Sequence, residues 1–200
     1  VVIASKKASL IFDPKLSLVG LKDIKTRDEI EIVTEARFSV DNSEARIIID
    51  SPGEYEVGDF TIRGVAALRH IDTPEDEKRS TIYRVECSGV AVGVVGNIAP
   101  GLTDDQLEAL GMIDVLILPV GGGGYTLDAT SAAALVRAID PKVVIPVHYK
   151  DSALNYEVPQ DDAEVFIQEL GAPMESVTKL KVQNETSLPP VLTTMVVSRS

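Results

Sequence analysis

MIDVLILPVGGGGYTLDATSAAALVRAIDPKVVIPVHY, Met112 to Tyr149, holds two apolar runs, an amphipathic segment and a glycine loop, and the rest of the chain is placed relative to it. Asp114 to Leu118 and Lys142 to Val147 are short unbroken apolar runs bounded by Gly and Pro, the pattern of strands buried on both faces. Between them Ala132, Leu135, Val136 and Ile139 recur at helical spacing. Asp128 suits the N-cap, and Asp140-Pro141 ends the helix because a residue before proline is pushed out of the α region. The unit reads strand, loop, helix, strand. In such a crossover the strands run parallel and ligands bind where loops leave their carboxyl ends. The loop Gly121 to Thr126, which carries Tyr125, and the pair His148-Tyr149 both fall at those ends.

Working outward, Val1 to Ala4 and Ala8 to Phe12 read as strands about a Ser5-Lys6-Lys7 turn, and Asp13-Pro14 closes the second. Ile30, Ile32 and Thr34 alternate with other residues as a third strand running into the loop Glu35-Ala36-Arg37-Phe38-Ser39-Val40. Arg46 to Asp50 is a β-branched strand, and Ser51-Pro52-Gly53 turns it into Glu54 to Val57. Gly58-Asp59 leads into Phe60 to Ala66, with His70 beyond it. The charged segment Asp72 to Arg79 reads as a solvated loop. Thr81 to Cys87 and Val90 to Val95 form a hairpin about Ser88-Gly89, with Gly96-Asn97 at its end. Thr103 to Gln106 is a capping box opening a helix that stops at Gly111. After the central unit come a helix from Gln160 to Leu170, capped by Gly171, and strands Val177 to Val182 and Val191 to Val197. Antiparallel hairpins first and mixed units later predict an α+β fold of two β-sheets packed face to face with helices outside, rather than a doubly wound parallel sheet.

Composition bounds the rest. A chain of 200 residues buries roughly 70% of its unfolded surface, enough for one ample core, so a single domain over residues 1–200 is expected. The apolar content of 44% suits a globular protein, and no run approaches the length of a membrane span. A net charge of −12 repels phosphate backbones, and Lys22, Lys25 and Arg27 are diluted by Asp23, Asp28 and Glu29, which argues against nucleic acid. Cys87, the sole cysteine, excludes an internal disulfide, and its place in a strand predicts an inert thiol. No secretion signal is recognised, so a cytoplasmic location is expected.

Polar residues collect at five strand ends: Asp13, Glu35 with Arg37, His70, Asn97, and His148 with Asp128. The two histidines are the only ones in the chain, and both follow apolar strands. The run Gly121 to Gly124 lacks the following GK[ST] of a phosphate-cradling loop and reads as a flexible turn around a pocket.

DSPGEYEVGDFTIRGV (Asp50 to Val65), LTDDQLEALGMIDVLILPVGGGGYTLDA (Leu102 to Ala129) and KVVIPVHY (Lys142 to Tyr149) together resemble the metallo-β-lactamase-fold hydrolases. The resemblance is in particular to the branch similar to L-ascorbate-6-phosphate lactonase and predicted zinc-dependent hydrolases, over roughly Ala8 to Tyr149. The resemblance implies an αββα four-layer sandwich of two mixed β-sheets, with its active site along the edge where strand-end loops converge. It also implies one or two metals, usually zinc, held by an early His-x-His-x-Asp-His motif, a later His, a bridging Asp and a final His. On that pattern the loop Glu35 to Val40 stands at the early motif without a histidine. His70 matches the later histidine, Asn97 replaces the bridging aspartate, His148 matches the last histidine, and Asp13 matches a supporting aspartate.

Catalytic zinc needs about three protein ligands and an open position. The metal-deficient pattern predicts no cofactor, no zinc-dependent hydrolysis, and a pocket binding a small anionic metabolite or a protein partner. Arg37 is then a substitute for the metal's charge, and its bland alternative is a surface pair with Glu35 or Asp41. The alternative function is a hydrolase of lactones or phosphoesters with a reduced mononuclear zinc site of His70, His148 and a carboxylate such as Glu35 or Asp128.

Overall fold

A computed structural model describes residues 1–41, 43–70 and 79–198. Four strands, β1 (Val2–Ala4), β2 (Ser9–Phe12), β3 (Ile30–Ile32) and β4 (Ile47–Ile49), form one sheet in that order. The pair β1–β2 is antiparallel and the pairs β2–β3 and β3–β4 are parallel. The remaining strands are β5 (Gly53–Val57), β6 (Phe60–Leu68), β7 (Arg79–Cys87), β8 (Val90–Val94), β9 (Val115–Pro119), β10 (Val143–Val147), β11 (Met174–Val177) and β12 (Thr193–Val197). They make an eight-stranded sheet in the order β11-β12-β10-β9-β8-β7-β6-β5, antiparallel from β5 to β8 and parallel from β8 onward. The described α-helices are α1 (Asp104–Leu110), α2 (Ala129–Ile139) and α3 (Ala163–Leu170).

The expected sandwich of two mixed sheets is what forms, and its cause is visible in the alternation of side chains. Leu10, Phe12, Ile30, Ile32 and Ile49 of the small sheet pack against Phe60, Ile62, Tyr83, Val85, Val115 and Ile117 of the large one. The other face of the same strands, with Leu116, Leu118 and Val144, packs on Ala132, Val136, Leu110 and Phe166 of the helices. The run Val115 to Leu118 is therefore buried on both faces, as its lack of alternation predicts. Cys87 is half-buried against the inter-sheet core.

The described α-helices all cover the large sheet. On the small sheet, the row facing away from the sandwich contains Ile11, Glu31 and Ile48, which lie abreast in the pairing. Glu31 is fully buried there and accepts bonds from Thr26, Ser39, Ser43 and the Val40 N–H, so the irregular segments around it form the cover. The loop expected at Glu35 to Val40 is a single 3-10 turn, Ala36–Phe38.

One late strand lies elsewhere than expected. The strand read at Val177 to Val182 lies instead at Met174–Val177, paired in parallel with β12 from Met174 opposite Thr194 to Val177 opposite Val197. Its side chains are largely exposed and carry no alternation, whereas Leu180 and Val182 pack against the core without pairing. The charged loop read at Asp72 to Arg79 lies outside the described residues except Arg79, which opens β7.

Candidate functional site

The polar strand ends meet at one edge of the sandwich. Asp13 follows β2 in the left-handed region, φ 49°, where a non-glycine residue is strained. Its carboxylate accepts from the Thr34 N–H at 2.8 Å and the Thr34 hydroxyl at 2.9 Å, tying the end of β2 to the residue before Glu35. Thr34 also touches Gly96, where an added Cβ would come within 2.7 Å of it, so no larger residue fits and Asn97 is held beside the loop. An antiparallel bridge between Arg69 and Ile98 then sets His70 and Asn97 abreast. Both are buried, and Asn97 Nδ2 has no partner among the described residues.

Glu35 is 5% exposed and accepts on one oxygen, Oε2, from Arg37 Nε at 2.8 Å and Arg69 Nε at 3.0 Å. The surface pairing considered for Arg37 is thus one between a half-buried guanidinium and a buried carboxylate, and Asp41 pairs with Lys15 instead. Burial pushes the Glu35 carboxyl above its ordinary range, and the charges of Arg37 and Arg69 oppose that. Burial likewise raises Asp13, against the pull of its bonds from Thr34. Arg37 Nη1 donates to the Tyr125 hydroxyl, and Arg69 Nη2 reaches the same oxygen at 3.5 Å. The Arg37 guanidinium lies 4.7 Å from the ring centroid of Phe38 and 5.2 Å from that of Tyr125.

His148, at the end of β10, is the second site residue in the left-handed region, φ 50°. Its ring stacks on Tyr156 with centroids 4.7 Å apart and lies 6.4 Å from Tyr125. Burial, then the charge of Arg37, lower its pKa from the ordinary value to about 4, so the imidazole is neutral at pH 7. It borders an open cleft with Arg37, Phe38, Tyr125, Tyr156 and Leu18.

One expected contributor does other work. Asp128 is exposed and caps α2, its carboxylate accepting from Ser131 N–H at 2.7 Å. The glycine loop leaves no cradle, because a Cβ on Gly121 would stand 2.3 Å from Gln160 Oε1 and one on Gly123 would stand 2.4 Å from the Pro159 carbonyl. The Gly122 N–H is taken by the Leu127 carbonyl at 3.1 Å. Arg69, Tyr156 and Gln160 were invisible as site residues. Arg69 reads as one more surface charge beside His70, and the segment 150–161 has no periodicity. Among the described residues no three His, Cys, Asp or Glu side chains form a group able to hold a metal ion.

Two face-to-face mixed sheets, helices packed on the larger, and a site where the strand ends converge define the metallo-β-lactamase class of sandwich. Residues 1–148 match the model of the Beta-lactamase superfamily domain, and the chain belongs to that family. It is 35% identical over 89 residues, 38% of either chain, to a UPF0173 metal-dependent hydrolase of Natranaerobius thermophilus. Over 116 residues it is 29% identical to a protein of the same name from Archaeoglobus fulgidus, covering 54% of this chain and 49% of that one. The chain thus spans about half or less of the curated relatives it matches. Among solved structures, a Thermotoga maritima protein of the metallo-β-lactamase superfamily superposes with TM-score 0.70 at 23% identity, over 94% of this chain and 90% of that one. A metallo-hydrolase from Ignicoccus hospitalis gives 0.61 at 18%, over 85% of each. These likenesses carry the fold. No described helix is long and apolar enough to cross a membrane.

Proposed function

We propose that this chain is a metal-deficient member of its family that binds a small anion at Arg37 instead of hydrolysing a substrate with metal-bound hydroxide. The observation that carries the reading is the pairing of Arg37 and Arg69 on one oxygen of buried Glu35. A catalytic zinc needs about three protein ligands, and it supplies a hydroxide by bringing its bound water to a pKa of about 7. The residues present do not fit that ion. His70 and His148 are the only imidazoles of the chain, Asn97 is neutral, and Glu35 is already committed to guanidiniums. A divalent cation about 4 Å from one guanidinium is opposed by roughly 8 kcal/mol at an effective dielectric near 20. An arginine, by contrast, holds a carboxylate or phosphate through two parallel hydrogen bonds and needs no metal.

The names of the curated relatives favour the second reading, a metal-dependent hydrolase with a reduced site of His70, His148 and Glu35. Elemental analysis of protein purified without chelator or affinity tag separates the two. Well under one equivalent of zinc, iron or manganese is expected, with no turnover of lactone or phosphodiester reporters above background. One equivalent surviving dialysis, with activity lost on His148→Ala, would overturn the proposal and establish the hydrolase.

A further inference from the structure

Arg37 spends its three kinds of nitrogen unequally. Nε is on Glu35, Nη1 is on the Tyr125 hydroxyl, and Nη2 is buried with no partner among the described residues. Nη1 and Nη2 form the terminal edge of a guanidinium, a pair of donors matched to two oxygens on one centre. A phenol has one oxygen, so Tyr125 satisfies half of that edge. The same oxygen is also within 3.5 Å of Arg69 Nη2. It therefore sits at the convergence of two guanidiniums, where the chemistry favours an anionic oxygen over a neutral one.

Resting on the reading of Arg37 above, we propose that the Tyr125 hydroxyl stands in for one oxygen of an aryl carboxylate or aryl phosphate ligand. The ligand displaces the hydroxyl, engages Nη1 and Nη2 of Arg37 together, and lays its ring in the cleft. The cleft supplies the matching walls: Phe38, Tyr156 and the neutral, stacked His148 are flat, and Leu18 and Val19 are apolar.

Isothermal titration with phenyl phosphate, benzoate and inorganic phosphate tests the proposal on the whole protein. Tyr125→Phe keeps the ring and removes the hydroxyl that the ligand must displace. Phenyl phosphate or benzoate should bind it about tenfold or more tighter than the wild type, the equivalent of one hydrogen bond to a charged group no longer broken. Tyr125→Leu, which removes the hydroxyl by a different side chain, should move the affinity in the same direction. Arg37→Lys, which loses the two-donor edge, should weaken binding by about tenfold or more. The aryl probe that binds tighter distinguishes carboxylate from phosphoryl. Inorganic phosphate binding as tightly as phenyl phosphate would remove the aromatic body from the proposal. If Arg37→Lys weakens binding while both Tyr125 variants bind no tighter than wild type, the role of Tyr125 falls and Arg37 stands. If neither the wild type nor Tyr125→Phe binds any of the three probes, both fall.

Discussion

The Tyr83 hydroxyl donates to the Val33 carbonyl at 3.1 Å across the inter-sheet core. Tyr83 is on β7 of the large sheet and Val33 directly follows β3 of the small one, so the bond joins the layers two residues before Glu35. Both residues have no solvent exposure, and burial pushes the phenol pKa up, which keeps it a donor. Tyr83→Phe retains the edge-on contact with Phe12 but leaves the carbonyl without this donor. The expected loss is about 1 kcal/mol, read as a lower urea midpoint at unchanged slope. An unchanged midpoint would show that the sheets do not depend on the bond.

Glu31 is the second polar anchor. Its buried carboxylate accepts from Ser43 Oγ at 2.6 Å, Ser39 Oγ at 2.8 Å, and Thr26 Oγ1 and Val40 N–H at 3.2 Å each. Glu31→Ala strands these donors in the interior, and a destabilisation on the order of 3 kcal/mol is expected. Ser39 and Val40 directly follow the turn that carries Arg37, so anion affinity should fall with it. Thermal melts equal to wild type would refute the anchoring role.

His148 gives a pH dependence whose sign is fixed. Its folded pKa of about 4 lies below the unfolded value of about 6.5, so the folded state refuses a proton that the unfolded chain accepts. Above pH ~6.5 the group contributes no pH dependence, because both states are neutral. As pH falls from about 6.5 to 4, the unfolded state gains the proton and stability drops, by up to about 3 kcal/mol in total. The difference in unfolding free energy between wild type and His148→Gln, followed from pH 7 to pH 4, isolates this contribution. A difference independent of pH would contradict the buried, neutral imidazole.

A bound anion should also stabilise the fold by mass action. At about 100 times its dissociation constant a ligand adds about 2.7 kcal/mol, which raises Tm by roughly 5 to 11 °C for a domain of this size. A screen of carboxylated and phosphorylated compounds is expected to find such a shift, and Arg37→Ala to abolish it. The unliganded Arg37→Ala protein should itself melt lower, because Glu35 is buried and would keep only Arg69 of its two cations. A shift that survives in the variant would place the anion elsewhere.

The fold was largely legible because its signals are local. Val115 to Leu118 and Val143 to Val147 lack alternation, Ser88-Gly89 marks a two-residue turn whose φ values are 54° and 74°, and Asp128 caps the helix it should. Strand β11 was misplaced because its position is set by its pairing with β12, and its own side chains face water. The site was legible in part. Asp13, Glu35, Arg37, His70 and Asn97 all occupy the predicted edge, since strand ends can be counted along a chain. Arg69 joins them only because Arg69 bridges Ile98 and so turns its guanidinium toward Glu35, a pairing between distant segments that no spacing encodes.

Strand β12 is the last described strand in sequence but an interior one in space, lying between β10 and β11. Val143 pairs with Thr193, so β10 waits for a segment about 50 residues further on. At roughly 5 to 20 residues per second, a chain emerging from a ribosome leaves that edge open for some seconds. Throughout that interval the apolar strand presents unpaired N–H and C=O groups, a template for any other extended chain nearby. A message truncated between the codons for Val147 and Thr193 would make the exposure permanent. Its product should go to aggregates or proteases rather than persist as a smaller working protein.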